Sequence, residues 1–107
     1  MARRRKYELV FAPETLQHLD KIETKYHGLI ERTIDEQLTY SPQRVSRNRK
    51  PLDEPGPYGA TWQLRFGPQN CFRVFYEVSA AVLEVHVLAI GEKVREKLFI
   101  SGKEYTE

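Results

Sequence analysis

Apolar and polar positions fall into distinct periods along the chain, and each period implies an element. Tyr7, Leu9 and Phe11 alternate with Lys6, Glu8 and Val10, which predicts a first strand of period two. Pro13 stands where a helix would begin, and Leu16, Leu19 and Ile22 then recur at three-residue steps toward Tyr26. His27-Gly28 reads as a break. Ile30, Ile34 and Leu38 continue at four-residue steps and stop before Ser41-Pro42, so the two stripes predict an antiparallel helical hairpin. Residues 44–59 contain Pro51, Pro55, Pro57, Gly56 and Gly59, and predict a long connection without regular structure. Three strands follow over residues 61–66, 72–78 and 83–90, joined as hairpins through Gly67-Pro68-Gln69-Asn70 and Ser79-Ala80-Ala81. Val94 and Leu98 stand four apart in EKVREKLFI, consistent with a short last helix, and SGKEYTE reads as a tail. The order β-α-α-β-β-β predicts an α+β fold, with the helical hairpin on one face of an antiparallel sheet and the other face open.

Register follows from the same pattern, because a slip of one residue would turn every side chain over. Pairing Trp62 with Tyr76, Leu64 with Val74 and Phe66 with Phe72 gathers six large residues on the buried side. Gln63 then lies opposite Phe75, and Arg65 opposite Arg73, on the open face. Extended to the last strand, this register brings His86 beside Phe75 and Leu88 beside Arg73. Two adjacent guanidinium groups repel by about 0.7–3 kcal/mol at about 5.5 Å, depending on shielding. A phosphate seated between two guanidinium forks relieves that repulsion, with an aromatic ring at hand for stacking. The alternative is that both arginines diverge into water or pair with Glu77 and Glu84.

Composition narrows the class without naming a function. At 107 residues there is room for one core, and 40% hydrophobic with 30% charged residues describes a soluble globule. No apolar run approaches the roughly 20 residues of a membrane-spanning helix, and MARRRKYELVF lacks the apolar stretch of a secretory signal, so a cytoplasmic location is expected. One cysteine, Cys71, fits a reducing compartment, and with His18, His27 and His86 scattered there is no zinc-ligand spacing. Neither a metal nor another cofactor is expected. The net charge of +2 is modest, but Arg3, Arg4, Arg5 and Lys6 form one basic cluster, and Arg44, Arg47, Arg49 and Lys50 form another.

The chain resembles the RelE/ParE superfamily, the toxins of bacterial toxin–antitoxin modules. The likeness is carried by YELVFAPE, by LDKI and IDEQL in the hairpin, by Lys50-Pro51-Leu52, and by WQLRFG, FRVFYEV and VHVLAIGEKVREKLF in that order. It covers nearly the whole chain. It implies a single RelE-like domain over residues 1–107, with a basic tail at 1–5 and a C-terminal tail at 101–107. It also implies a small cytoplasmic toxin neutralised by an antitoxin that wraps around it.

In the RelE branch the implied activity is metal-independent cleavage of mRNA on the ribosome, by attack of a ribose 2′-hydroxyl on the adjacent phosphorus. Carried over by position, Arg65 and Arg73 fall on basic and phosphate-holding positions of the site, and Lys93 falls where an arginine is common. His86 is the candidate base. Lys50, Arg49, Arg47, Phe75 and Arg95 are the candidate RNA-binding residues. Two departures stand out: Gln63 where a lysine or arginine is usual, and Phe99 where a tyrosine is common. They favour two alternatives to an active nuclease, namely an attenuated or non-catalytic relative and a ParE-like toxin that blocks a topoisomerase. Tyr105 could reach back from the tail to supply a hydroxyl.

Overall fold

The computed structural model describes residues 5–106, so the basic tail before Arg5 lies outside the described residues. The elements are β1 (Glu8–Phe11), α1 (Glu14–Asp20), α2 (His27–Leu38), β2 (Arg49–Pro51), β3 (Trp62–Phe66), β4 (Phe72–Ser79), β5 (Glu84–Val94), β6 (Lys97–Ile100) and β7 (Lys103–Glu104). The α+β architecture with a helical pair on a largely antiparallel sheet is as the pattern predicted.

The helical hairpin differs from its prediction in two places. α1 buries Thr15 and His18, while Leu16 is 71% exposed, so the three-residue apolar steps did not mark its inner face. The chain breaks at residues 21–23, and a single 3₁₀ turn, Thr24–Tyr26, leads straight into α2. His27-Gly28 is therefore the first turn of α2, and the His27 ring pairs with the Ile22 carbonyl at 2.8 Å. α2 buries Ile30, Ile34 and Leu38, the stripe read from the sequence. Arg49, 8% exposed as a residue, closes its far end: the guanidinium donates to the Gln37 carbonyl at 2.5 Å and to the Arg44 carbonyl at 3.1 Å. A cation at the carbonyl end of a helix also suits its dipole.

The sheet runs β2-β3-β4-β5-β6-β7, and β1 lies parallel to β5. β5 is eleven residues long, so its first half serves β1 and its second half serves β6. β2 occupies part of the segment expected to be irregular. The expected C-terminal helix is instead the β5–β6 hairpin, and the expected tail adds β7 to its edge. The hairpin turn is made by Arg95 and Glu96, both with positive φ (51° and 69°). Among the described residues no helix is long and apolar enough to cross a membrane.

The main core packs Leu64, Phe72, Val74, Tyr76, Val85, Val87 and Ile90 against the helices. Burying each of these large apolar side chains contributes about 1.5–3 kcal/mol before entropy is counted. The opposite face is not fully open as predicted. Residues 52–60 and β6 fold over part of it, where Phe75, Ala60, Ala89 and Ile100 make a second small cluster with Leu52 and Leu98.

Candidate functional site

The β3–β4 register matches the reading from sequence at every pair: Trp62–Tyr76, Gln63–Phe75, Leu64–Val74, Arg65–Arg73 and Phe66–Phe72. Alternation then puts Arg65 and Arg73 side by side on the face away from the helices. Among the described residues, neither has a carboxylate within salt-bridge distance; the ion pairs are Lys25–Glu23, His86–Glu84, Lys93–Glu96 and Lys97–Glu104. Their donors go partly to carbonyls. Arg65 Nε donates to the Arg47 carbonyl at 3.3 Å, and Arg73 donates to the Asn70 carbonyl. Gln69 and Asn70, both with positive φ, form the turn that carries this acceptor. Partial burial, then the neighbouring Arg65, lowers the Arg73 pKa from its usual value. The Glu96 carboxylate offsets part of that, and a guanidinium stays charged regardless, so the site holds two adjacent cations with spare donors and, among the described residues, no salt-bridged carboxylate.

The loop before β2 extends this cationic ground. The Ser46 hydroxyl accepts the backbone N–H groups of Asn48 and Arg49, each at 3.2 Å, which tightens the turn. Asn48 is tied to β3 by its Nδ2, 2.8 Å from the Arg65 carbonyl. Lys50 pairs with Gln63 in register. The result is a cleft of about 150 Å³ lined by residues 46–50, Gln63 and Arg65. On the other flank Gly91 lies opposite Arg73, and Lys93 follows two residues later with its amine 3.8 Å from Glu96. Arg95 is exposed at the hairpin tip.

Three expected site residues are placed differently. His86 does not face Phe75: the β4–β5 register shifts at a bulge between Phe75 and Tyr76, so Ala89 is opposite Phe75 and His86 is opposite Glu77. Four strand residues, about 13 Å, separate that row from Arg73, and His86 is paired with Glu84 at 3.0 Å. Arg49 is largely buried and gives two of its donors to α2 and the following loop, so it adds to the wall of the cleft with most of its side chain turned inward. Phe75 is 4% exposed, so it forms a floor and offers no open stacking surface. Phe99 pairs with Glu92, whereas its neighbour Leu98 pairs with Lys93, so the departure noted at Phe99 falls on the other side of the sheet from Lys93.

Sequence reasoning missed a crevice of about 260 Å³ where residues 52–60 and the C-terminal strands approach each other. Its apolar walls include Leu52, Pro57, Phe75 and Leu98, and its polar groups are Glu54, Gln63 and Tyr105. Tyr105 does reach back, held by its backbone N–H to the Leu98 carbonyl at 2.8 Å. Gln63 lines this crevice and the basic cleft alike. The Pro/Gly-rich composition of residues 55–59 was the available signal that this loop folds back. A separate apolar groove of about 490 Å³ runs between α1, α2 and β1 on the helical side.

No family model matches the chain, and no curated protein does. Among solved structures, the toxin–antitoxin complex RelBE2 from Mycobacterium tuberculosis superposes with a TM-score of 0.68 over 87% of this chain and 98% of that one, at 18% identity. The chain has a RelE-like toxin fold. At that identity the likeness speaks for the RelE-like backbone, and chemistry has to be argued from the side chains above.

Proposed function

We propose that this chain is the toxin of a toxin–antitoxin pair and that it cleaves mRNA on the ribosome by metal-independent transesterification. One observation supports the reading: Arg65 and Arg73 stand side by side in a face of the RelE-like sheet, and among the described residues neither is salt-bridged to a carboxylate. In the reaction, the 2′-hydroxyl loses its proton to solvent water as its oxygen bonds to phosphorus, the bond from phosphorus to the 5′-oxygen breaks, and a 2′,3′-cyclic phosphate and a 5′-hydroxyl remain. Arg65 and Arg73 clamp the phosphate as its charge builds, and each such donor is worth on the order of a hundredfold to a thousandfold in rate. Lys93, two residues past Gly91, is the remaining cation poised to deliver a proton to the leaving oxygen. Lys50, Arg47 and Arg95 hold flanking backbone.

The antitoxin of this reading has a seat on the helical side. Leu9, Leu19 and Ile30 line the apolar groove, Phe11 and Leu16 are 45% and 71% exposed at its edge, and Glu31 and Asp35 border it. An apolar antitoxin segment with basic flanks complements that combination.

The test is expression of the wild type and of Arg73→Ala, with growth followed and transcript 5′ ends mapped. Arrest with codon-phased cuts, both abolished by the substitution, is the expected outcome. A second reading, a toxin that acts by occupying its target, is favoured by the placement of His86 far from the arginines and by the inability of the Gln63 amide to accept a proton. Arrest without cut transcripts selects it, and relaxed or linearised plasmid DNA in the same cells points to a topoisomerase.

A further inference from the structure

The crevice that shares Gln63 with the basic cleft has the make-up of a site for a planar ring. It is about 260 Å³ in volume, and it sets Leu52, Pro57, Phe75 and Leu98 beside a carboxylate, an amide and a phenol, so its lining is polar and apolar in about equal measure. Apolar surface holds the faces of a small ring, and a few fixed polar groups beside it orient the ring's edge. Gln63 and Phe75 lie one two-residue step along the strands from Arg65 and Arg73, about 6.6 Å. A nucleotide whose phosphate sits on the arginines therefore carries its base to the mouth of this crevice. Gly56 also lines it, and a Cβ there would stand 2.8 Å from Leu52 Cδ1 and 3.6 Å from the Phe75 ring, so the missing side chain leaves room beside the floor.

We propose that this crevice takes the unstacked base next to the phosphate held by Arg65 and Arg73, and that Glu54 makes it select guanine. The inference rests on the RNA-handling reading above. Single-stranded RNA is read by splaying out a base and pairing its edge with side chains. A carboxylate only accepts, and it accepts best from two parallel donors. Guanine offers such a pair on one edge, its ring N1–H and its amino group. Adenine and cytosine offer an amino group beside an acceptor nitrogen, which a carboxylate repels. The Gln63 amide can donate to the guanine carbonyl, and the Tyr105 hydroxyl can serve as donor or acceptor at the rim.

The experiment is calorimetric binding of guanosine, inosine and adenosine 3′-monophosphates and of ribose 5-phosphate to the purified chain, and to Glu54→Gln and Arg73→Ala. Both positions reach solvent, so folding is expected to survive and is checked by circular dichroism. Guanosine monophosphate should bind about 5- to 150-fold tighter than the adenosine compound, the range of a good bidentate pair, with inosine between them. Glu54→Gln should erase the preference and leave ribose phosphate binding unchanged, whereas Arg73→Ala should weaken all four compounds alike. Arg73-dependent binding without guanine preference, or a preference that survives Glu54→Gln, overturns the base site and leaves the phosphate reading intact. A Glu54→Gln variant that keeps the preference but cleaves RNA slowly with an altered pH profile makes Glu54 a proton-transfer group, which also overturns it. Absence of Arg73-dependent binding by any compound overturns both.

Discussion

His18 is 2% exposed, and its Nδ1 accepts the backbone N–H of Ile90 at 3.2 Å, tying α1 to the middle of the sheet. Its ring also lies 5.6 Å from that of Tyr58. The acceptor role requires the neutral ring. Burial lowers the His18 pKa below 6.5, and the nearby Glu14 carboxylate offsets part of that. The unfolded chain then binds a proton at higher pH than the folded one, so this residue's contribution is complete above about pH 6.5 and falls as pH drops toward the folded-state pKa. Thermal melts between pH 7.5 and 5 should show stability declining on acidification. His18→Gln, which keeps an acceptor but does not titrate, should flatten that slope, and His18→Leu should cost about 1–3 kcal/mol at neutral pH by orphaning the Ile90 N–H. A slope unchanged in His18→Gln would refute the assignment. None of this was legible in the sequence, where His18 was one of three scattered histidines and its partner lies 72 residues away. Arg49 was misread for a similar reason. In RVSRNRK it looks equivalent to Arg47 and Lys50, and only the pairing of β2 with Leu64 on β3 turns it inward.

Between elements, legibility followed how much apolar surface fixed the alignment. Six large residues agree on one β3–β4 register, and that register was read correctly. The β4–β5 register was not, because the bulge after Phe75 is set by backbone geometry that no side-chain pattern announces. The β5–β6 hairpin was mistaken for a helix because Val94 and Leu98 satisfy a four-residue spacing, while its two-residue turn lacks the Asn-Gly or Gly-Gly signature. Arg95 and Glu96 adopt left-handed conformations there at a cost of roughly 1 kcal/mol each. Replacing them with Asn and Gly should therefore raise stability by about 1 kcal/mol in denaturant unfolding, even though the exposed Lys93–Glu96 pair is lost. Nucleotide binding at Arg73 should persist, since Lys93 is released and not removed. Destabilisation by the Asn-Gly turn would mean that the turn is held by contacts other than its own backbone.

The whole molecule keeps opposite chemistry on its two sides. The helical side carries the apolar groove bordered by Glu31 and Asp35, and the other face carries Arg47, Lys50, Arg65, Arg73 and Lys93 across neighbouring strands. A net charge of +2 hides this separation, which is why composition alone said little about partners. If each of the five cations meets one phosphate of a single strand, the affinity for RNA falls as salt to the power of about 3.5, from roughly 0.7 per contact. Raising salt from 50 to 200 mM should then weaken binding of a short unstructured RNA about 100-fold. Arg47→Ala should lower that exponent by about 0.7, because it removes one contact from the row, and Arg32→Ala should leave it unchanged, because Arg32 is exposed on α2, outside that row. An exponent below about 1 in the wild type, or equal losses from Arg47→Ala and Arg32→Ala, would mean that the basic row does not track an RNA backbone.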